Sequence, residues 1–501
     1  MTDPASPKET REIGLPPPSD VETSRRTGKD AQSREYSLDP PESLSPRLSK
    51  ERAFSSPATT SSTPRSTPDR DIVFLSLGCP REDAILLKAN GYEEIFQELL
   101  TSLPKEAAES ILCAMISQEP YISEELRLKI VPERPPDGTS GVYFLKNFDG
   151  IVTSVFKPTD EEQYMEACPH YAMFSGEAPR EPDYPVRLSV KKGRATQNEV
   201  ACAEIAKNLF DLDAPETFFV APTLIVHTNY LQVKARGLRP EKRVAIGPIA
   251  LIRPDSSDFT RIPKPGSLQL FKKGVPAISF RSAIKIRSEL IPSLYNTEEE
   301  ALKAFERLYI FDLILGNTDR NLGNLLFDLP GRKMHPIDHG ACIPDGLSLD
   351  AFQRRGAFAS ETMPLHFSIP IDDPATNEMR EETKVFCSFI KPMLIEEILR
   401  KHFIPESAIQ EMHLRVALLK AAISHNLNLT KIRSLFREAR ESKSDSAPSG
   451  NSPLLEIATK TVESLGIAKE AIPAEEEGKA ALFTSFLEEF TRQANLYLES
   501  P

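Results

Sequence analysis

The chain has 501 residues, length for two or three domains, yet carries 43 prolines and only 40% hydrophobic residues, below the roughly 45–50% of ordinary globular domains, so part of it is expected to stay unfolded. A formal charge of -12 argues against nucleic-acid binding by the whole molecule, though not against a local basic face. No apolar run approaches the roughly 20 residues of a membrane span, and the charged, proline-broken first twenty residues lack the apolar centre of a secretory signal. Six dispersed cysteines (Cys79, Cys113, Cys168, Cys202, Cys342, Cys387) form no Cys-x-x-Cys. Zinc or a disulfide scaffold is not expected, and a cytoplasmic, reducing compartment is.

Residues 1–70 hold eleven prolines, twenty-one Ser or Thr, and eleven charges of each sign. Such a stretch cannot bury enough apolar surface to offset its ordering entropy, so it is expected to be a disordered tail. Ser45-Pro46, Ser56-Pro57 and Thr67-Pro68 offer phosphorylation or docking points for protein partners on what otherwise reads as a solvating segment. Residues 71–131 turn helical, with Tyr92, Ile95, Phe96 and Leu99 on one face, and read as an accessory helical segment. The run from Gly141 to Pro158 then reads as two strands joined at Asp149-Gly150, a strong hairpin signal. Thr196 to about Phe210 is helical, residues 215–230 are strand-like, and helical periodicity dominates from Thr297. Strands first and helices second predict an α+β molecule of two lobes, divided at about 132–270 and 271–440. Residues 441–453 read as a linker and 454–501 as a helical extension. In its last helix Leu482, Phe483, Phe486, Phe490 and Tyr497 share a face expected to dock on the folded core; Glu488 and Glu489 opposite make anionic lipid a poor partner for it.

The chemistry concentrates in "YIFDLILGNTDRNLGNLLFD", where an apolar helix enters a polar loop and then a strand. Asp319 and Asn324 stand five apart, the separation of a carboxylate that receives a hydroxyl proton and an amide that holds a metal ion. Fourteen residues later comes "PIDHG", whose Asp338, with Gly two positions on, is placed as a Mg²⁺ ligand between phosphates. One Asp in a loop is ordinarily a cap or turn residue; three such residues in register between a helix and two strands outweigh that reading. Gly138 to Gly141 form a small-residue turn able to approach phosphate oxygens, although the turn lacks a full Gly-x-Gly-x-x-Gly. Lys157 at a strand end suits a nucleotide lysine, and Glu199 on the next helix, or else Glu204, could pair with it.

In order and spacing, "GTSGVYF", "VFKPTDEE", "GSLQLF", "NTDRNLGNLL" and "PIDHG" resemble the phosphatidylinositol 3- and 4-kinase superfamily, above all the type II and plant gamma-type 4-kinases. The resemblance covers about residues 138–436. It implies a bilobal kinase-like fold, with a strand-rich N-lobe and a helical C-lobe, that holds ATP with Mg²⁺ or Mn²⁺. It places Ser140 and Gly141 in the phosphate loop, Lys157 on the phosphates and Gln269, Leu270, Phe271 and Lys272 at the adenine hinge. Asp319 would be catalytic with Arg320 beside it, and Asn324 and Asp338 would be metal ligands.

The chain also departs from that family. Only Cys168 stands where type II enzymes carry a palmitoylated cysteine cluster, and one acyl chain anchors weakly. Asn321-Leu322-Gly323 follows Arg320 where relatives often carry a His or Gly pair, and no ubiquitin-like repeat precedes the matched region. Independently of resemblance, residues 231–290 carry thirteen Lys or Arg against four Asp or Glu. Lys234, Arg236, Arg239, Lys242, Arg243 and Arg253 are therefore candidates for a peripheral anionic membrane surface, each contributing about 1 kcal/mol; nucleic acid fits less well for want of interleaved aromatics. The expectation is phosphatidylinositol phosphorylated at its 4-hydroxyl, with a protein Ser/Thr kinase and a silent kinase-shaped adaptor as rivals. A disordered start before eukaryote-like kinase motifs is also compatible with a secreted effector acting in a host cell.

Overall fold

The computed structural model describes residues 73–135, 140–162, 165, 190–209, 223–228, 264–280, 291–358, 378–436 and 452–500. The tail up to residue 70, Gly138, Thr139, Cys168, the six basic residues from Lys234 to Arg253 and nearly all of the linker lie outside the described residues.

Five helices come first: α1 (Val73–Ser76), α2 (Arg81–Ala89), α3 (Tyr92–Ser102), α4 (Lys105–Ile116) and α5 (Glu124–Ile130). Beyond its charged first turn α4 is buried all round, from Ala107 to Ile116, with buried Glu109 accepting from the Phe148 amide at 3.3 Å. Ser123 caps α5 by accepting from the Leu126 amide at 3.2 Å, and Asp83 on α2 takes the Ser123 amide and hydroxyl at 2.7 and 2.6 Å. One side chain thereby joins two helices end to side.

The expected hairpin follows as β1 (Tyr143–Lys146) and β2 (Val152–Pro158), antiparallel, with Tyr143 opposite Phe156. Its turn needs a glycine: Gly150 has φ 78°, a region where a Cβ is strained. Helix α6 (Ala195–Leu209) and strands β3 (Thr223–Thr228) and β4 (Lys264–Leu270) complete a four-stranded antiparallel sheet in the order β1-β2-β4-β3. Alternation along β2 decides what each face does. Ser154 and Phe156 are buried on one side, where the Ser110 hydroxyl of α4 donates to Ser154 Oγ at 2.9 Å and Phe156 and Leu268 share a core with Phe74, Ile111 and Leu112. The segment read as accessory is the layer that covers this sheet. Lys157 stands on the other face.

From β4 the chain passes to a second sheet, β5 (Val275–Pro276), β6 (Leu325–Asp328) and β7 (Lys333–Pro336) in that order. Around it lie α7 (Ile291–Leu294), α8 (Glu298–Ile314), α9 (Leu349–Arg355), α10 (Glu381–Phe389), α11 (Pro392–Lys401), α12 (Glu406–Ser424) and α13 (Leu429–Leu435). Thr297 caps α8, accepting from the Glu300 amide at 3.1 Å. A second core centred on α8 and α12 holds this helical lobe together. The division into a sheet-bearing lobe and a helical lobe is that of a bilobal α+β kinase-like fold.

The last helices are α14 (Pro453–Leu465), ended by left-handed Gly466, and α15 (Glu476–Glu499). On α15, Phe486, Phe490 and Ala494 are buried, while Leu482, Phe483 and Tyr497 pack at the margin of the same core. Phe486 lies 6.4 Å from Phe490 and 5.9 Å from Phe358 between ring centroids. The apolar face expected to dock does so. Truncating fully buried Phe490 to Ala should lower unfolding free energy by about 3–5 kcal/mol, measured by urea denaturation; wild-type stability would show that α15 adds nothing to the fold.

Candidate active site

Lys157 reaches across from β2 to meet two carboxylates that belong to distant parts of the chain. Its ammonium is 2.5 Å from Glu199 Oε1 on α6 and 3.0 Å from Asp338 Oδ1, just after β7. Glu199 is 2% exposed, so its charge survives only because it is paired. Burial pushes its carboxyl up, but the Lys157 ammonium together with His339 outweighs that and holds it well below the usual carboxylate range. Burial likewise pulls Lys157 down, and Asp338 and Glu199 together raise it above its ordinary value. Glu204, the other candidate partner, accepts from Lys401 and meets His402, each at 2.6 Å, and is committed there.

The run from Pro158 to Glu162 carries the strand end to the helix start. Glu162 accepts from the amides of Ala195 and Thr196 at 3.1 and 3.0 Å, satisfying first-turn donors of α6 that have no partner within the helix. Glu161 accepts from the Tyr143 hydroxyl at 2.7 Å and packs directly over Gly141, where any Cβ would strike it. Gly141 thus serves close packing beside the expected phosphate turn; Ser140 is half-buried next to it.

Asp319 sits in the loop between α8 and β6. Its amide donates to Asn317 Oδ1 at 2.9 Å, and its Oδ1 and Oδ2 accept from Asn321 and Asn324 at 3.3 and 3.2 Å. Arg320, expected among the catalytic residues, is placed otherwise. It is 1% exposed. Its Nε and Nη2 grip both oxygens of Asp312 at 2.9 and 3.1 Å, and its Nη1 donates to the main-chain oxygens of Asn324 and Ile337 at 2.6 and 2.8 Å. A guanidinium so committed positions other groups and does not touch a ligand. Burial works against its charge, and Asp312 outweighs burial and raises it further. The Ile337 amide donates to Asn324 O at 3.1 Å, so Asn324 and the residue before Asp338 lie side by side.

Gln269 pairs in register with Val155 and Thr223, and Leu270 with Ser154. The Phe271 amide continues the ladder to Thr153 O at 2.9 Å and its ring meets Phe144 edge-on at 5.6 Å. Burial, with Lys333 adding repulsion, lowers the Lys272 ammonium. Residues 271–274 join the two sheets, the place a hinge would occupy. Sequence reasoning missed His339, fully buried and T-shaped on Phe311 with ring centroids 5.7 Å apart; its Nδ1 is 3.7 Å from Glu199 Oε2. Burial holds its imidazole below the ordinary value.

Among the described residues no group of three or more His, Cys, Asp or Glu forms a complete cation site. The donors present nonetheless suit a hard ion that completes its shell with phosphate oxygens. Asn324 spends its amide N–H groups on Asp319 O and Oδ2 at 2.8 and 3.2 Å, leaving Oδ1 available, and Asp338 is half exposed and gives Lys157 one oxygen. Replacing Lys157 by Met would leave Glu199 buried without its ammonium partner, at a cost of about 3–5 kcal/mol. Because a depressed carboxyl stabilises above its unfolded value and loses that contribution as pH falls through the folded one, the deficit against wild type should be greatest near neutrality and shrink below the carboxylate range. Denaturation of both proteins across pH measures this; a deficit independent of pH would remove the pairing from the argument.

The pattern of the family described as phosphatidylinositol 3- and 4-kinase matches residues 149–432, more than half of the chain. Phosphatidylinositol 4-kinase gamma 5 of Arabidopsis thaliana is 27% identical over 332 residues, 64% of this chain and 44% of that protein. Phosphatidylinositol 4-kinase type 2-alpha of Xenopus laevis is 29% identical over 216 residues, 40% of this chain and 42% of its own length, and the type 2-beta protein of Gallus gallus is 30% identical over 208 residues, 39% and 40%. The chain therefore spans less than half the length of these relatives. A solved structure of the Helicobacter pylori proinflammatory kinase CtkA aligns with 60% of this chain and 92% of its own, at 11% identity and a TM-score of 0.29. On the strength of the matched residues, which take in Lys157, Glu199, Asp319, Asn324 and Asp338, the chain belongs to the phosphatidylinositol 3- and 4-kinase family.

Proposed function

We propose that this chain is an ATP-dependent lipid kinase that phosphorylates phosphatidylinositol at its 4-hydroxyl. The observation that carries the reading is the meeting of Lys157, Glu199 and Asp338 at one point beside the loop of Asp319 and Asn324. Phosphoryl transfer asks a protein chiefly for positioning and charge neutralisation, and these side chains supply both. Lys157, steadied by Glu199, faces the triphosphate, with Ser140 and Gly141 at its edge and Gln269, Phe271 and Lys272 against adenine; the Leu270 side chain, on the opposite face of β4, packs instead into the core beneath α4. Asn324 and Asp338 would hold Mg²⁺ or Mn²⁺, which supplies compensation for the phosphate charge. Asp319 orients the inositol hydroxyl and takes its proton as the new O–P bond forms to the γ-phosphorus and the bond to the bridging oxygen of ADP breaks. Arg320 acts at one remove, by fixing the main chain at Asn324 and Ile337. The 4-position follows the similarity to phosphatidylinositol 4-kinases.

The substrate is a bilayer lipid, so the enzyme works peripherally on a membrane surface. Among the described residues no helix is long and apolar enough to cross one. Labelled ATP, phosphatidylinositol vesicles and a mixture of soluble proteins, incubated with the full chain, test the reading. Label is expected in phosphatidylinositol 4-phosphate, and Asp319→Asn and Asp338→Asn should each lower the rate by about 10²-fold or more with an unchanged circular-dichroism spectrum. Label confined to protein would replace the lipid acceptor with a protein one, and a wild-type rate in Asp338→Asn would overturn the metal assignment.

A further inference from the structure

The segment from Asp338 to Ile343 is bracketed by two non-glycine residues in the left-handed region, Asp338 and Ile343, each at φ 58°. For a β-branched residue such as Ile343 that backbone is a genuine outlier, and it persists only where surroundings over-determine it. One face of α6 and the residues just before it provide those surroundings. Arg194 Nη2 donates to Ile343 O at 2.9 Å. Asn198, wholly buried, donates both protons of its side-chain amide, to Gly340 O at 2.9 Å and to Cys342 O at 2.8 Å. Gly340 lies so close that a Cβ there would sit 2.9 Å from the Ala195 Cβ. The next residue on α6 is Glu199, whose Oε2 lies 3.7 Å from His339 Nδ1. From the opposite side the Ile343 amide donates to Leu315 O at 2.6 Å, and the Thr318 amide and hydroxyl donate to Ala341 O at 3.1 and 2.8 Å.

We propose that Asn198 is a positioning residue: its carboxamide fastens the segment that carries Asp338 to the helix that carries Glu199, so that the lysine pair and the metal ligand are set as one unit. This rests on the nucleotide site described under the proposed function. Asn suits the position because its amide offers two donors in a fixed plane on a short stem; Asp has none to offer, and Ser has one. A purely structural Asn198 would affect stability alone. A positioning Asn198 must change how strongly the divalent ion strengthens nucleotide binding, because outer contacts that orient a metal ligand set its affinity.

The test is calorimetric titration of the full chain with a non-hydrolysable ATP analogue, with and without Mg²⁺, alongside thermal unfolding in the absence of ligand. Asn198→Ala should reduce the Mg²⁺-dependent gain in analogue affinity by about tenfold or more, with metal-free affinity within about twofold of wild type. Gly340→Ala, which drives a methyl group against Ala195, should show the same loss without touching Asn198, and adding Ala195→Gly should restore the gain. A folded Asn198→Ala protein with an undiminished Mg²⁺ effect overturns the proposal. Should that variant not fold, the Gly340→Ala and Ala195→Gly pair decides, and an intact gain in the single variant or no recovery in the double variant overturns it equally. Wild type that binds the analogue no better with Mg²⁺ would instead strike at the nucleotide reading itself, so the two failures are distinct.

Discussion

Everything at this site depends on keeping charges out of water while leaving one end of the cluster open. The Arg320 guanidinium is the clearest case. It has almost no solvent contact, and removing it from water is costly unless each donor finds a partner. Asp312 at the end of α8 takes two donors, and the main-chain oxygens of Asn324 and Ile337 take two more. Helix end, loop and second sheet are thereby drawn to one point. Asn317 repeats the theme on a smaller scale, donating to Asp312 at 3.0 Å and receiving the Asp319 amide. The carboxylate assigned to the chemistry is held by neighbours that are themselves anchored to a buried ion pair.

Lys157 is organised on the same plan, with the polarity reversed. Its counter-charge Glu199 is buried and Asp338 is half exposed, so the ammonium is fixed from the inside and remains approachable from the outside. The same helix that supplies Glu199 is capped by Glu162, four residues beyond the end of the lysine's own strand. Strand, helix and the segment after β7 thus share contacts pairwise, and a displacement of any one is felt by the others.

Much of this was legible in residue spacing. Asp149-Gly150 marked the turn of the hairpin, and the separations among Asp319, Asn324 and Asp338 reflected a loop and a two-stranded connection of fixed length. Glu199 and Glu204 looked alike from sequence; only the geometry shows which one faces Lys157 and which is taken by Lys401 and His402. Arg320 read as catalytic because it adjoins Asp319, and adjacency in a loop says nothing about burial. Asn198 was invisible for a different reason: an Asn in the first turns of a helix reads as a local cap, and its partners lie more than 140 positions away. The helical layer over β2 depends on equally remote pairs such as Ser110 with Ser154. The basic stretch from Lys234 to Arg253 lies outside the described residues.

That layer has a practical corollary. The family pattern begins at residue 149, inside the hairpin turn, so a fragment cut at that boundary would lose β1 together with α1 to α5. Phe156 and Leu268, now shielded by Phe74, Ile111 and Leu112, would become a naked greasy sheet, the sort of exposed surface that drives aggregation. Anyone excising a minimal enzyme from this chain would do better to begin upstream of Val73, since the residues that cover the back of the lysine strand belong to no recognised catalytic motif and yet complete its half of the molecule.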